Sequence, residues 1–208
     1  MLIFDMDGTL IDSNGIWRQV DETFLAKRGM PYTQEYYEGV AHTIFPLAAV
    51  FTKEYCKLEE STDEIMAEWM ELAGNMYAEE VPVKPGVVAY LEQCRDRGER
   101  MMVLTSSVPE HCRTALEHLG LMQYFERILF AHELKIEKKD PAIFRKAADL
   151  AGVEPASCTV FDDSVAACRG AKAAGMKAVG VYDPFFAQTE EEMRQVCDRF
   201  IMSFEEML

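Results

Sequence analysis

Four short polar segments of the 208-residue chain carry side chains suited to catalysis. They supply two pairs of carboxylates, three neighbouring hydroxyls and two adjacent lysines: Asp5 with Asp7, Asp162 with Asp163, Thr105-Ser106-Ser107, and Lys138-Lys139. Crowded carboxylates repel one another unless a cation joins them, and an all-oxygen ligand set suits Mg²⁺. A metal, a lysine, hydroxyls and loop amides together neutralise a bound phosphate. One carboxylate can then attack phosphorus while a second carboxyl transfers the protons.

The polar segments follow short apolar runs that are typical of buried strands. Five strands are predicted, at residues 1–4, 100–104, 127–130, 158–161 and 177–181. Helical patterns at residues 87–97, 110–119, 142–150 and 165–174 separate the later strands, and each ends close to a glycine. This alternation predicts an α/β fold with a doubly wound, parallel, five-stranded Rossmann-like core. Ligands bind beyond the carboxyl ends of such strands, so the four segments are expected to meet in one crevice.

One long segment interrupts the alternation. Residues 13–82 show helical patterns and no convincing strand. The segment has 5 basic and 13 acidic residues, a net charge of −8. We therefore expect an α/β catalytic core at residues 1–12 and 83–208, with an all-α helical cap domain inserted at 13–82. The Pro82-Val83-Lys84-Pro85-Gly86 segment is the expected return hinge.

Composition and charge narrow the functional classes. The net charge of −15 argues against binding nucleic acid or an acidic membrane surface. No apolar run approaches the roughly 20 residues of a membrane helix, and the first residues lack the basic start of a secretory signal. The six scattered cysteines contain no Cys-x-x-Cys pair, so we expect free thiols in a reducing cytoplasm. A monomer that acts on a small phosphorylated metabolite is the simplest expectation.

The order of the motifs resembles the haloacid dehalogenase superfamily of phosphohydrolases. The resemblance is to the helical-cap branch that contains β-phosphoglucomutase and phosphoglycolate phosphatase. It rests on four motifs in order: Asp5-Met6-Asp7-Gly8-Thr9, Thr105, Lys138 in Lys-Lys-Asp-Pro, and Asp162-Asp163 followed by Ala171-Lys172-Ala173-Ala174-Gly175. Two positions depart from the family pattern. The position of Lys139 is often a proline in the family, which leaves either lysine as the functional one. The position of Asp162 is often a glutamate.

The resemblance implies a role for each matched residue. Asp5 would be the nucleophile and a metal ligand, and Asp7 the general acid and base with its backbone carbonyl on the metal. Thr105 would bond the phosphate beside the Ser106 amide, and Lys138 would neutralise the phosphate and the nucleophile. Asp163 would bind Mg²⁺, with Asp162 as its partner or as a water-bridged ligand.

Each segment also has a purely structural interpretation. Asp-x-Asp-Gly-Thr suits an ordinary turn, and the hydroxyls and the aspartate pair suit helix caps. Lysines usually lie at the surface. Four residues of the insertion are candidate substrate contacts, although aromatic residues at helical spacing are more often core: Trp17, Arg18, His42 and Phe45.

Several functions fit these motifs. The first is a Mg²⁺-dependent phosphatase that hydrolyses a small phosphomonoester, such as a sugar phosphate, through a phosphoryl-aspartate. A mutase of the β-phosphoglucomutase type shares all four motifs. A dehalogenase is disfavoured because Asp7 is present, and a phosphoryl-accepting receiver domain because the aspartate doublet follows the fourth strand. A catalytically silent binding protein would leave all of these groups idle.

Overall fold

The computed structural model describes residues 1–40 and 45–208. The described chain forms two compact units: Met1–Asn14 together with Val81–Leu208, and Gly15–Glu80. We call the first the core unit and the second the helical unit. The core unit contains the sheet, and the helical unit contains no strand among its described residues.

The core unit is built on one parallel sheet. Its strands are β1 (Leu2–Phe4), β2 (Met101–Thr105), β3 (Arg127–Phe130), β4 (Thr159–Asp162), β5 (Lys177–Val181) and β6 (Arg199–Ile201). The order is β3-β2-β1-β4-β5-β6, and every pair is parallel. The predicted α/β doubly wound fold is confirmed, but the sheet has six strands rather than five. The sixth is only three residues long at the sheet edge, too short to show a pattern.

The described residues also form ten α-helices. The helical unit comes first along the chain, with α1 (Ile16–Lys27), α2 (Gln34–Val40), α3 (Phe45–Cys56) and α4 (Thr62–Glu79). The core unit has α5 (Val87–Asp96), α6 (Pro109–His118), α7 (Ala131–Leu134), α8 (Pro141–Ala151), α9 (Val165–Ala173) and α10 (Glu190–Val196). Among the described residues, none of these helices is long and apolar enough to cross a bilayer.

The two central strands bury both of their faces. Ile3 and Val160 are fully buried in the apolar cluster that contains α8. Their neighbours Phe4 and Phe161 point to the other face, because side chains alternate along a strand, and their rings stack at 4.7 Å. Strands buried on both sides are continuous apolar runs, which is why both were visible in the sequence.

The helical unit has its own apolar interior. Phe24 on α1 and Trp69 on α4 are buried, and their rings meet edge to face at 5.7 Å. Helix α4 begins at a capping box, in which the Ser61 hydroxyl accepts from the Glu64 amide while the Glu64 carboxylate accepts from the Ser61 amide. This reciprocal pair satisfies two amides at the helix start and fixes where α4 begins.

Candidate active site

The ends of the two central strands bring three aspartates together. Phe4 is paired with Phe161 in the parallel register, and the Asp5 amide donates to the Phe161 carbonyl at 2.9 Å. Asp5 directly follows β1, and Asp162 is the last residue of β4. Asp163 comes next, and one carboxylate oxygen from each of these three residues lies within 4.8 Å of the others. We call Asp5, Asp162 and Asp163 the aspartate cluster.

The aspartate cluster is buried and holds a lysine. Asp5, Asp162 and Asp163 are 7%, 1% and 4% exposed. The Lys138 ammonium donates to Asp5 Oδ1 at 2.6 Å and lies 2.5 Å from Asp162 Oδ2. An ammonium between two carboxylates lowers their mutual repulsion, and the same group is placed to meet a bound anion.

The structure distinguishes the two adjacent lysines. Lys138 is directed into the aspartate cluster, whereas Lys139 is exposed and pairs with Glu137. The Lys138 backbone packs closely on α9 at Gly170, where a Cβ would lie 2.6 Å from the Lys138 carbonyl oxygen. A glycine at this position of α9 therefore allows the approach that aims Lys138 inward.

Burial and crowding shift the protonation of the cluster. Burial raises the pKa of Asp5 well above its usual value, Lys138 opposes the rise, and Asp162, Asp163 and Asp7 add to it. Burial, together with the charge of Asp162, raises the pKa of Asp163 to about 7, although Asn14 and Lys138 oppose this. Burial alone would lower the pKa of Lys138, but the charges of Asp162 and Asp5 outweigh it and raise the pKa. The cluster is therefore short of positive charge.

Two residues that closely follow the first motif, Ser13 and Asn14, hold the carboxylates of Asp7 and Asp163. The Ser13 hydroxyl donates to Asp7 Oδ1 at 2.6 Å, and the Asn14 amide donates to Asp163 Oδ2 at 2.7 Å. Gly8 adopts a φ of +73°, and a Cβ there would lie 2.1 Å from Asp163 Oδ2. Only glycine combines that backbone conformation with so close an approach to the carboxylate.

The second motif ends strand β2. Thr105 is fully buried, and its hydroxyl oxygen accepts from the Ser107 amide at 2.9 Å. The hydroxyl proton of Thr105 is thus directed away from Ser107. Ser106 is exposed and lies in the loop between β2 and α6. Helix α6 begins after this loop, with Pro109 as its first residue.

The candidate substrate contacts of the insertion differ in setting. Trp17 is 41% exposed and meets the Phe45 ring edge to face at 5.4 Å. Arg18 is exposed, pairs with Glu22 at 2.8 Å, and lies over the Tyr32 ring. His42 lies outside the described residues. A substrate role for any of these residues stays a prediction.

Three polar residues of this region were not identified from the sequence: Ser13, Asn14 and Lys84. All lie in connecting segments, where serine, asparagine and lysine are common for reasons of turn formation and solubility. Their only signal was position, because Ser13 and Asn14 come shortly after Asp7 and Lys84 lies in the return hinge. The sequence does not indicate that Asn14 pairs with Asp163, because the two residues lie far apart along the chain.

The aspartate cluster suits a small divalent cation. Mg²⁺ prefers oxygen ligands at about 2.1 Å, which places opposed ligand oxygens about 4.2 Å apart. The three carboxylate oxygens are already within 4.8 Å of one another. Among the described residues, buried Asp162 Oδ2 has no aligned hydrogen-bond donor, although Lys138 Nζ lies close to it. The chemistry and spacing of these donors therefore fit Mg²⁺.

Known proteins resemble this chain in sequence and in fold. The haloacid dehalogenase-like hydrolase family matches residues 1–175. A phosphorylated carbohydrates phosphatase of Thermotoga maritima is 25% identical over 86% of this chain and 82% of its own. The fructose-1-phosphate phosphatase of Escherichia coli is 29% identical over 86% and 95% of the two chains. A Thermotoga maritima structure with the provisional name beta-phosphoglucomutase superposes with a TM-score of 0.85, at 23% identity over 100% and 95% of the chains.

The family match spans all four motifs, from Asp5 to the glycine that follows α9. It therefore covers the aspartate cluster, Thr105 and Lys138 within one continuous region. The chain belongs to the haloacid dehalogenase-like hydrolase family and is a phosphohydrolase, as the motifs predicted.

Proposed function

We propose that the protein is a Mg²⁺-dependent phosphatase that hydrolyses a small phosphomonoester, a phosphorylated sugar, through a phosphoryl group held on Asp5. The observation that carries this proposal is the contact of Lys138 with both Asp5 and Asp162 inside a buried aspartate cluster. Burying a lysine between carboxylates has a desolvation cost that ion pairing often does not repay, so stability alone does not explain these charges. Binding and transferring a phosphoryl group is a chemistry that uses all of them.

The first half-reaction uses Asp5 and Asp7. A carboxylate oxygen of Asp5 forms a bond to phosphorus while the bond from phosphorus to the sugar oxygen breaks. The leaving oxygen takes the proton of the Asp7 carboxyl, so no free alkoxide is released. Asp7 is only partly buried, and Ser13 holds one of its oxygens at 2.6 Å, which fixes the direction from which it acts.

The second half-reaction reverses the role of Asp7. Its carboxylate accepts a proton from a water molecule, and the water oxygen forms a bond to phosphorus as the bond from Asp5 to phosphorus breaks. Inorganic phosphate and the free Asp5 carboxylate result. Lys138 faces the phosphoryl oxygens in both halves, and the Thr105 hydroxyl and Ser106 amide are the proposed hydrogen-bond donors to them.

Asp5, Asp162 and Asp163 are the carboxylates proposed to hold Mg²⁺, together with the Asp7 carbonyl. When bound, the ion supplies positive charge that shields the attacking carboxylate from the phosphate and stabilises the charge that develops on it. The raised pKa values of Asp5 and Asp163 support this assignment, because both carboxylates are poorly compensated without a further cation.

A small sugar phosphate is favoured as substrate by two observations. Relatives that align over most of the chain are named for phosphorylated carbohydrates and for fructose 1-phosphate. The helical unit has 5 basic and 13 acidic residues, which disfavours a substrate with a second phosphate. We propose that this unit selects the sugar and excludes bulk water.

We also propose a monomer in a reducing cytoplasm. All six cysteines are free thiols, and four of them are buried. Free buried thiols are typical of proteins from reducing compartments.

A phosphate-release screen tests the proposal. Purified protein is incubated with phosphorylated sugars with and without Mg²⁺, and the Asp5→Asn variant is compared with Asp12→Asn, which alters an exposed aspartate nearby. We expect Mg²⁺-dependent release that Asp5→Asn abolishes and Asp12→Asn retains. Release by Asp5→Asn at the wild-type rate would contradict the nucleophile assignment. Isomerisation of a hexose 1-phosphate primed by its bisphosphate, without net phosphate release, would instead identify a mutase.

A further inference from the structure

Lys84 is a buried lysine whose ammonium has a partner for each of its three protons. It donates to the Gly8 carbonyl at 2.7 Å, to the Tyr182 carbonyl at 2.7 Å and to Asp183 Oδ2 at 2.9 Å. The side chains of Lys84 and Asp183 are 9% and 2% exposed. Buried lysines are rare, and this one holds a fixed geometry rather than a loose surface contact.

The partners of Lys84 belong to two loops at the carboxyl end of the sheet. Gly8 lies in the loop after β1, one residue beyond Asp7, whereas Tyr182 and Asp183 follow β5. Asp183 is itself held, because its Oδ1 accepts from the Phe185 amide at 2.9 Å. One ammonium therefore ties the Gly8 carbonyl to a loop that is independently fixed.

Gly8 is also confined by Asp163 of the aspartate cluster and by Asn14. A Cβ at Gly8 would lie 2.1 Å from Asp163 Oδ2 and 2.2 Å from the Asn14 amide nitrogen. The Gly8 amide also donates to the Ile11 carbonyl at 2.9 Å. Lys84 and Asp163 thus both confine Gly8, and movement of Gly8 displaces the adjoining backbone of Asp7.

We propose that Lys84 is a positioning residue, whose ammonium fixes the Gly8 carbonyl and so sets the backbone of Asp7 relative to Asp163. The inference rests on the proposed function, in which Asp7 transfers protons. Stability alone does not account for the pair, because apolar residues of similar size commonly replace a buried ion pair without loss. Apolar residues cannot, however, donate to two loop carbonyls.

Three variants separate positioning from folding. Asp183→Asn removes the charge but leaves the bonds of Lys84 to both carbonyls. Lys84→Met/Asp183→Asn removes those bonds without leaving a buried carboxylate unpaired. Lys139→Met is the control, because Lys139 is an exposed lysine outside the cluster. Circular dichroism identifies a temperature at which all the variants are folded.

Two measurements are made on each folded variant. Steady-state kinetics of phosphate release separates kcat from KM, and hydrogen exchange of the Gly8 amide is compared with that of Ile3 in β1. For the double variant we expect kcat to fall about tenfold or more, because a small misplacement of a proton donor is costly, with KM within about threefold. We expect Gly8 exchange to become about tenfold faster while Ile3 is unchanged. Asp183→Asn and Lys139→Met should stay within about threefold of wild type in kcat.

The results distinguish this inference from the proposed function. A folded double variant with kcat within about twofold of Asp183→Asn overturns the positioning role of Lys84. Unchanged Gly8 exchange overturns it as well. If the wild type releases no phosphate from any sugar phosphate, the proposed function fails, and the exchange result alone then supports or overturns the loop-fixing role.

Discussion

Replacing Lys138 by methionine is the most informative test of the charge balance in the aspartate cluster. Methionine keeps the length of the side chain but removes the ammonium that lies 2.6 Å from Asp5 and 2.5 Å from Asp162. The Lys138 side chain is only 11% exposed, so water does not replace the lost charge readily. Breaking a buried ion pair in this way typically costs about 3–5 kcal/mol of unfolding free energy.

The pH dependence of this loss has a definite sign. Burial already raises the pKa of Asp5, and Lys138 is the group that holds it down. A carboxyl whose folded pKa is raised contributes its stability fully below the unfolded pKa, and that contribution is lost as pH rises through the folded pKa. Without Lys138 the pKa of Asp5 rises further, and each added unit deepens the loss at high pH by about 1.4 kcal/mol. The variant should therefore lose more unfolding free energy at about pH 8 than at about pH 5, with a loss of about 3–5 kcal/mol at the higher pH.

Urea denaturation of metal-free protein at the two pH values measures this difference. Far-ultraviolet circular dichroism is the suitable signal. Both tryptophans, Trp17 and Trp69, lie in the helical unit, so their fluorescence would not report unfolding of the core unit, which contains Lys138. Lys139→Met is the matched control and should change the unfolding free energy by less than about 0.5 kcal/mol at either pH. Adding Mg²⁺ should recover part of the loss at high pH, since the ion supplies the missing charge.

Two results would refute this reasoning. If Lys138→Met costs no more than Lys139→Met, the ammonium does not compensate the aspartates. If the loss is equal at both pH values, the cost comes from packing and not from the protonation of Asp5.

Three further predictions concern the same site. Ser13→Ala deletes the 2.6 Å hydrogen bond to Asp7, so kcat should fall about tenfold at unchanged KM in steady-state assays. An unchanged kcat would show that Ser13 does not assist proton transfer by Asp7. Gly8→Ala places a Cβ 2.1 Å from Asp163 Oδ2 at a φ of +73°. The variant should therefore bind Mg²⁺ about tenfold more weakly in calorimetry and lose about 2 kcal/mol of unfolding free energy. A wild-type affinity for Mg²⁺ would contradict this reasoning. Because the pKa of Asp163 is raised to about 7, the dissociation constant of Mg²⁺ should rise about tenfold for each pH unit below that value; an affinity independent of pH would argue against Asp163 as a ligand.

The sequence was most informative where strands are buried on both sides. Strands β3 and β5 have the predicted bounds, β1 begins one residue later than predicted, and β2 and β4 begin and end one residue later. Strand β6, Arg199–Ile201, was missed because three residues at an edge, one of them an exposed arginine, show neither alternation nor an apolar run. The regular core was therefore predictable, whereas its edge was not.

The candidate site was predictable for a related reason. Parallel strands end at the same edge of the sheet, so polar residues that directly follow β1 and β4 had to be neighbours. The choice between Lys138 and Lys139 was not predictable, because it depends on how the backbone packs against Gly170 of α9. Side-chain partners in connecting segments, such as Lys84 with Asp183, depend on tertiary contacts nearly a hundred residues apart along the chain.

The formal charges buried at the carboxyl end of the sheet are the reason we expect this site to bind a divalent ion. Four carboxylates are buried there, Asp5, Asp162, Asp163 and Asp183, against the two ammonium groups of Lys84 and Lys138. The difference is two negative charges, and it lies on the aspartate cluster, because Asp183 is matched by Lys84. A monovalent cation would leave one charge uncompensated, whereas Mg²⁺ cancels the excess. The raised pKa values of Asp5 and Asp163 are the response of the metal-free protein to the same deficit, since protonation is the other way to remove buried charge. Protons and Mg²⁺ should therefore compete at this site, which couples metal affinity, pH and stability through one group of side chains.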